Sequence, residues 1–182
     1  MTKATMTLFG IGLMMASAFC PPAAAADPVA GLLLAVEPAG ALSLAEAKGT
    51  LTTTPQPIVI AGRIGARGMD PFLEGKASFS LLEIPTDDHA NKPGHDADDC
   101  PFCKKRNANA PMAAVQFLGA DGKPIPVDAR KAFGVQKGSD VVIRGTAVFD
   151  PKLGIPVIQM TADGIFVRKP AAPAAAGSRK AG

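Results

Sequence analysis

Residues 140–149 (DVVIRGTAVF) set the tightest limit on the fold, because they alternate in character along the chain. Extended, they place Val141, Ile143, Gly145, Ala147 and Phe149 on one face. A period of two suits a strand with one face in a core and cannot form a helical stripe. Four more stretches read as strands. Residues 57–64 (PIVIAGRI) are β-branched and apolar, and Gly62 within them predicts a bulge or sharp bend. Residues 76–84 (KASFSLLEI) put Ala77, Phe79 and Leu81 opposite Ser78 and Ser80. Residues 113–118 (AAVQFL) run into the turn sequence 119–122. The last strand starts at Ile155, after the turn 150–154, and continues or is followed by 164–167 (GIFV). Between the third and fourth strands, residues 128–133 (DARKAF) predict a short helix. Asp128 would cap its start and Gly134 its end.

The ends of the chain read differently. Lys3 is the sole charge in the first 26 residues, followed by an apolar run at 8–20, Pro21-Pro22 and four alanines. This is the pattern of a secretory signal peptide, with cleavage expected near Ala26. The run is too short for a membrane span of about 20 residues. Phe19, where lipidation wants a small residue, speaks against modification of Cys20. The expected location is periplasmic or secreted, with no transmembrane segment in the processed chain. Of the 182 residues, 156 follow position 26, enough for one modest domain. Residues 27–56 read as a linker with one short helix near 42–48. Residues 169–182 (KPAAPAAAGSRKAG) read as a disordered tail, which confines the fold to 57–168.

Charge narrows the function. The chain is formally +3, but setting aside Lys3, Arg168, Lys169, Arg179 and Lys180 leaves 14 basic residues against 16 acidic, a net −2. A folded part without clustered positive charge is a poor nucleic-acid binder.

The order strand, strand, strand, helix, strand, strand resembles the OB fold, a five-stranded Greek-key barrel with a helix between strands three and four. Residues 59–64 (VIAGRI) and 75–82 (GKASFSLL) resemble its first hairpin. Residues 136–145 (QKGSDVVIRG) are similar to the lead-in to its fourth strand, with Ser139 inserted between Gly138 and Asp140. The resemblance covers about 110 residues and implies a mostly β binding module rather than an enzyme. A small β-sandwich is the alternative architecture.

One segment has no place in barrel logic. Residues 85–111, between the second and third strands, are too long for a tight hairpin. They hold both histidines, His89 and His95, and both cysteines beyond Cys20, Cys100 and Cys103. Asp87, Asp88, Asp96, Asp98 and Asp99 surround them, and Lys104-Lys105-Arg106 follows as a solvated charge run. Long loops with their own chemistry are usually functional or disordered.

Three chemistries fit. In the first, His89, His95, Cys100 and Cys103 give two nitrogens and two sulfurs, a set that suits zinc and, less well, copper(I). The spacing His-x5-His-x4-Cys-x2-Cys is not a standard finger, and the aspartates could orient the imidazoles. In the second, Cys100 and Cys103 form a plain disulfide, as exported proteins favour. The third is thiol–disulfide exchange, with Pro101 between the cysteines; such motifs open a helix after a strand, which this strand pattern does not offer.

Other chemistries lack their residues. There is no Trp or Tyr, and most phenylalanines fall on apolar faces. No helix follows Gly62, Gly65 and Gly68, as a dinucleotide loop requires. Lys104 stands where haem attachment needs a histidine. The leading expectation is an exported, non-enzymatic binding module with a zinc site. The alternative is a disulfide-stapled domain whose partner is a protein or cell-envelope component, and a thiol-redox protein comes third.

Overall fold

The computed structural model describes residues 28–87, 89, 90, 92, 95, 99–153 and 157–169. Among them the elements run α1 (Leu44–Thr50), β1 (Gln56–Ile64), β2 (Ser78–Leu82), α2 (Pro101–Asn109), β3 (Met112–Phe117), α3 (Ala129–Phe133), β4 (Asp140–Val148) and β5 (Ile158–Val167). β1 lies antiparallel to β2 and β4, β2 to β3, and β4 to β5. β3 and β5 are parallel, so the sheet is mixed. Parallel neighbours need a long crossover, and α3 with β4 provides it. The pairings return from β4 to β1, so the ring β1-β2-β3-β5-β4 has no open edge.

The expected strand faces form the interior. Phe79 and Leu81 are buried while Ser78 and Ser80 are half-buried, and Ala113, Val115 and Phe117 are buried from β3. They meet Ile60, Ile143, Met160 and Ile165 in one core. Phe117 packs on Phe133 of α3 with ring centroids 4.6 Å apart. Local rules set that helix: the Asp128 side chain accepts from the Arg130 N–H at 2.9 Å, and Gly134 takes the left-handed conformation at φ 65°.

Three sequence expectations need correction. The core does not begin at residue 57. Leu44, Ala47 and Leu51 are buried, held by a capping box in which Ser43 and Glu46 satisfy each other's backbone N–H. Upstream, Leu42 hydrogen-bonds both Val59 and Ala61 of β1, and Leu32 and Leu34 do the same with Ile165 of β5. Gly62 is not a bulge: β1 and β4 stay in register through Gly62↔Val141. A side chain there would come within 3.0 Å of Leu44 and Leu81, so Gly62 lets α1 lie close to the sheet. The register shift lies instead between Arg144 and Gly145 on the β4–β5 ladder. Finally, three helices form among the described residues rather than the two expected, and the additional one stands inside the 85–111 segment.

The last strand is continuous from Ile158 to Val167, and its expected start at Ile155 lies outside the described residues. So do residues 1–26, expected to be a signal peptide, and residues 170–182 of the expected tail. No helix among the described residues is long and apolar enough to cross a membrane.

Candidate metal centre

After β2 the chain makes two turns and then a helix, and each delivers ligands by a local rule. Asp87 Oδ1 accepts from the Ala90 N–H at 2.8 Å, a turn that carries His89. The Lys92 carbonyl accepts from the His95 N–H at 3.1 Å, a second turn. Cys100 is then the N-cap of α2, and Pro101 fills the first helical position, where its missing N–H costs nothing. The Lys104 N–H donates to the Cys100 carbonyl at 2.9 Å, closing the first helical turn. That turn brings Cys103, three residues on, back to the side of Cys100.

The four expected ligands converge. One donor atom from each of His89, His95, Cys100 and Cys103 lies within 4.8 Å of all the others. His89 Nε2 is 3.3 Å from Cys100 Sγ, and His95 Nε2 is 3.2 Å from Cys103 Sγ. The imidazole centroids are 4.6 Å apart with the rings inclined at 65°. A tetrahedron of two nitrogens and two sulfurs around zinc, with bonds of about 2.0 and 2.3 Å, has edges of about 3.3–3.8 Å. The two nitrogen–sulfur separations are within about 0.3 Å of the roughly 3.5 Å edge for such a pair, and donors as far apart as 4.8 Å would draw in by about 1 Å to share one tetrahedral ion.

The site is one-sided. Cys103 is buried at 1% exposure, Cys100 and His95 are half-buried, and His89 is exposed. Burial pushes the Cys103 thiol up. Hydrogen bonding, first with His89, lowers the Cys100 thiol to about 7. Arg106, one turn further along α2, donates to Asp87 and reaches Cys103 Sγ at 3.5 Å. The Ala90 N–H is the main reason that the Asp87 carboxyl lies below its ordinary value.

Sequence reasoning missed Arg106 as a positioning group, taking it for a solvated charge. Of the aspartates expected to orient imidazoles, Asp87 holds Ala90 and Arg106, while Asp88, Asp96 and Asp98 lie outside the described residues. Sequence reasoning also found no helix for the cysteine motif; the structure places that motif at the start of α2. Pro101 at the first helical position was the available signal.

α2 has no apolar face. Cys103 is its one buried residue, and Phe102 is 79% exposed, its ring 6.4 Å from His89. Asp87, His89, Phe102, Cys103 and Arg106 line a cleft of about 350 Å³ beside the ligand set. At the helix's far end, Arg67 Nη2 donates to the Ala110 carbonyl at 2.5 Å. A larger surface hollow beside Asp70 and Arg130 is lined by no histidine or cysteine. Arg130 there is taken up by Asp70, Asp128 and the face of Phe72. Compared with protein families, with curated proteins and with solved structures, the chain finds no match.

Proposed function

We propose that the protein is an exported, non-enzymatic binding module: an OB-like Greek-key barrel whose β2–β3 connection holds a zinc ion on His89, His95, Cys100 and Cys103. The convergence of four donor atoms within 4.8 Å, from two turns and a helix start, carries this reading. Two His–Cys hydrogen bonds hold the donors in pairs, and an ion shared by all four accounts for the two pairs meeting at one point. Two imidazoles with two thiolates suit tetrahedral zinc, and copper(I) is the second choice. Four protein ligands complete that coordination, which favours a holding or structural site over a catalytic one with an open position. The order of strands with α3 before β4 supports the OB-like reading. The N-terminal sequence pattern supports export.

Elemental analysis with thiol counting tests the proposal on protein purified under reducing conditions. The expected result is about one zinc per chain, lost in a His95→Ala variant. Absence of metal together with absence of free thiols would instead mean a Cys100–Cys103 disulfide and a barrel whose partner is a protein or envelope component. The position of Cys100 at a helix start favours, as a second reading, thiol chemistry at the same pair.

A further inference from the structure

We infer that the metal site is also a thiol–disulfide switch, in which a disulfide-bearing oxidant joins Cys100 to Cys103 and ejects the zinc. This rests on the zinc reading above and extends it: bound metal and intramolecular disulfide become two states of one site rather than rival descriptions.

Three observations carry the inference. First, the two sulfurs stand on one helical turn, with Cys100 at the cap and Cys103 three residues on. Residues at that spacing are neighbours, close enough for a disulfide after modest adjustment. The adjustment is available, because Cys100 keeps an extended backbone at φ −82° and ψ 119° and is not locked into the helix. Secondly, the pair is asymmetric. Cys100 is half-buried and borders the exposed His89, whereas Cys103 is 1% exposed. An incoming disulfide therefore meets Cys100 first, and Cys103 is placed to react only from inside. Thirdly, α2 buries no side chain except Cys103. Polar contacts hold the helix, through the two His–Cys pairs, Arg106 and the Arg67 bond at Ala110, so loss of an ion bound by the two pairs has a structural consequence.

The chemistry balances without further reactants. Cys100 Sγ attacks one sulfur of the oxidant; a Cys100–oxidant S–S bond forms, the oxidant's S–S bond breaks, and one thiolate leaves with its electron pair. Cys103 Sγ then attacks Cys100 Sγ, forming the internal disulfide and expelling the second thiolate. The two cysteines lose two electrons in all, and the oxidant gains them as two thiolates. Zinc, left with only His89 and His95, loses half its ligands and dissociates. A reducing dithiol reverses the exchange and restores the site.

The test titrates the zinc-loaded full chain with oxidised glutathione, while a chromogenic chelator reports free zinc and intact-mass spectrometry follows the protein. The expected result is release of about one zinc per chain in step with the loss of two hydrogens in mass, reversed by a reducing dithiol. A Cys100→Ser variant, provided that it still takes up zinc, should keep it under the same titration. If that variant takes up none, trapping a glutathione adduct on Cys100 of the unaltered protein during the titration supports the same order of attack. Zinc that stays bound under excess oxidised glutathione would overturn the switch and leave the zinc reading intact. So would zinc that leaves while both thiols stay reduced. A fully reduced protein that takes up no zinc would overturn the zinc reading, and the switch with it.

Discussion

His95 Nε2 lies 3.2 Å from Cys103 Sγ, on the buried side of the ligand cluster. This pair joins the turn after Lys92 to the single buried residue of α2. It is the inner half of the site, and His89 with Cys100 is the outer half. The inner pair should therefore matter more. Chelator competition should find that His95→Ala lowers zinc affinity by at least about 100-fold, and by more than His89→Ala does. Equal losses at the two histidines would contradict the asymmetry.

Arg106 bridges Asp87 and Cys103 without being a ligand. Groups in that position usually contribute 10–100-fold to metal affinity by fixing the ligands. Arg106→Ala should weaken zinc binding by about that factor and leave the thermal midpoint of the zinc-free protein unchanged. The sheet core takes no part in the contact, so a shift in that midpoint would point to a structural role instead.

Removing the metal should have a local effect. With no apolar face, α2 depends on its ligand residues, while β4 and β5 share the hydrophobic core. After chelation, hydrogen exchange should lose its protection along Pro101–Asn109 and keep it along Asp140–Val148. Protection lost in both together would mean that the loop and the sheet unfold as one unit.

Glu83 accepts the Ala45 N–H at 2.9 Å near the start of α1, and burial raises its carboxyl above the ordinary 4.5. A raised folded value means that the folded state holds the proton more tightly than the unfolded chain does. The stabilising effect is present below 4.5 and is lost as pH rises through the raised value. Glu83→Gln keeps an acceptor for Ala45 and removes the titration. In denaturant unfolding, its stability relative to the unaltered protein should improve as pH climbs above 4.5. A difference that stays flat with pH would contradict this assignment.

Gly145 sits where the β4–β5 register shifts, and a side chain there would come within 2.2 Å of the Thr161 carbonyl oxygen. Backbone cannot move aside as a flexible side chain can. Gly145→Ala should destabilise the fold by about 3 kcal/mol, measured by denaturant titration. A change within experimental error would mean that the strands separate there without strain.

These particulars mark what the sequence makes legible. The strand faces were readable because one-sided burial imposes a period of two, as at Ala113, Val115 and Phe117. The His–Cys cluster was readable as a candidate metal site because both histidines and both cysteines of the segment crowd into 15 residues. α2 was not, since a helix held by one buried cysteine carries no apolar period to detect. Gly62 and Gly145 show a different limit: the same residue serves a close approach in one place and a register shift in the other. Only three-dimensional neighbours separate the two. The packing of α1 was within reach, because Ser43 and Glu46 have the spacing of a capping box.

The central claim is the tetrahedral site, and X-ray absorption at the zinc edge of the purified, reduced protein tests it most directly. The expected spectrum shows two sulfurs at about 2.3 Å and two nitrogens at about 2.0 Å from the metal, with no other ligand. A protein that holds no zinc, or a spectrum without sulfur in the first coordination sphere, would contradict the account.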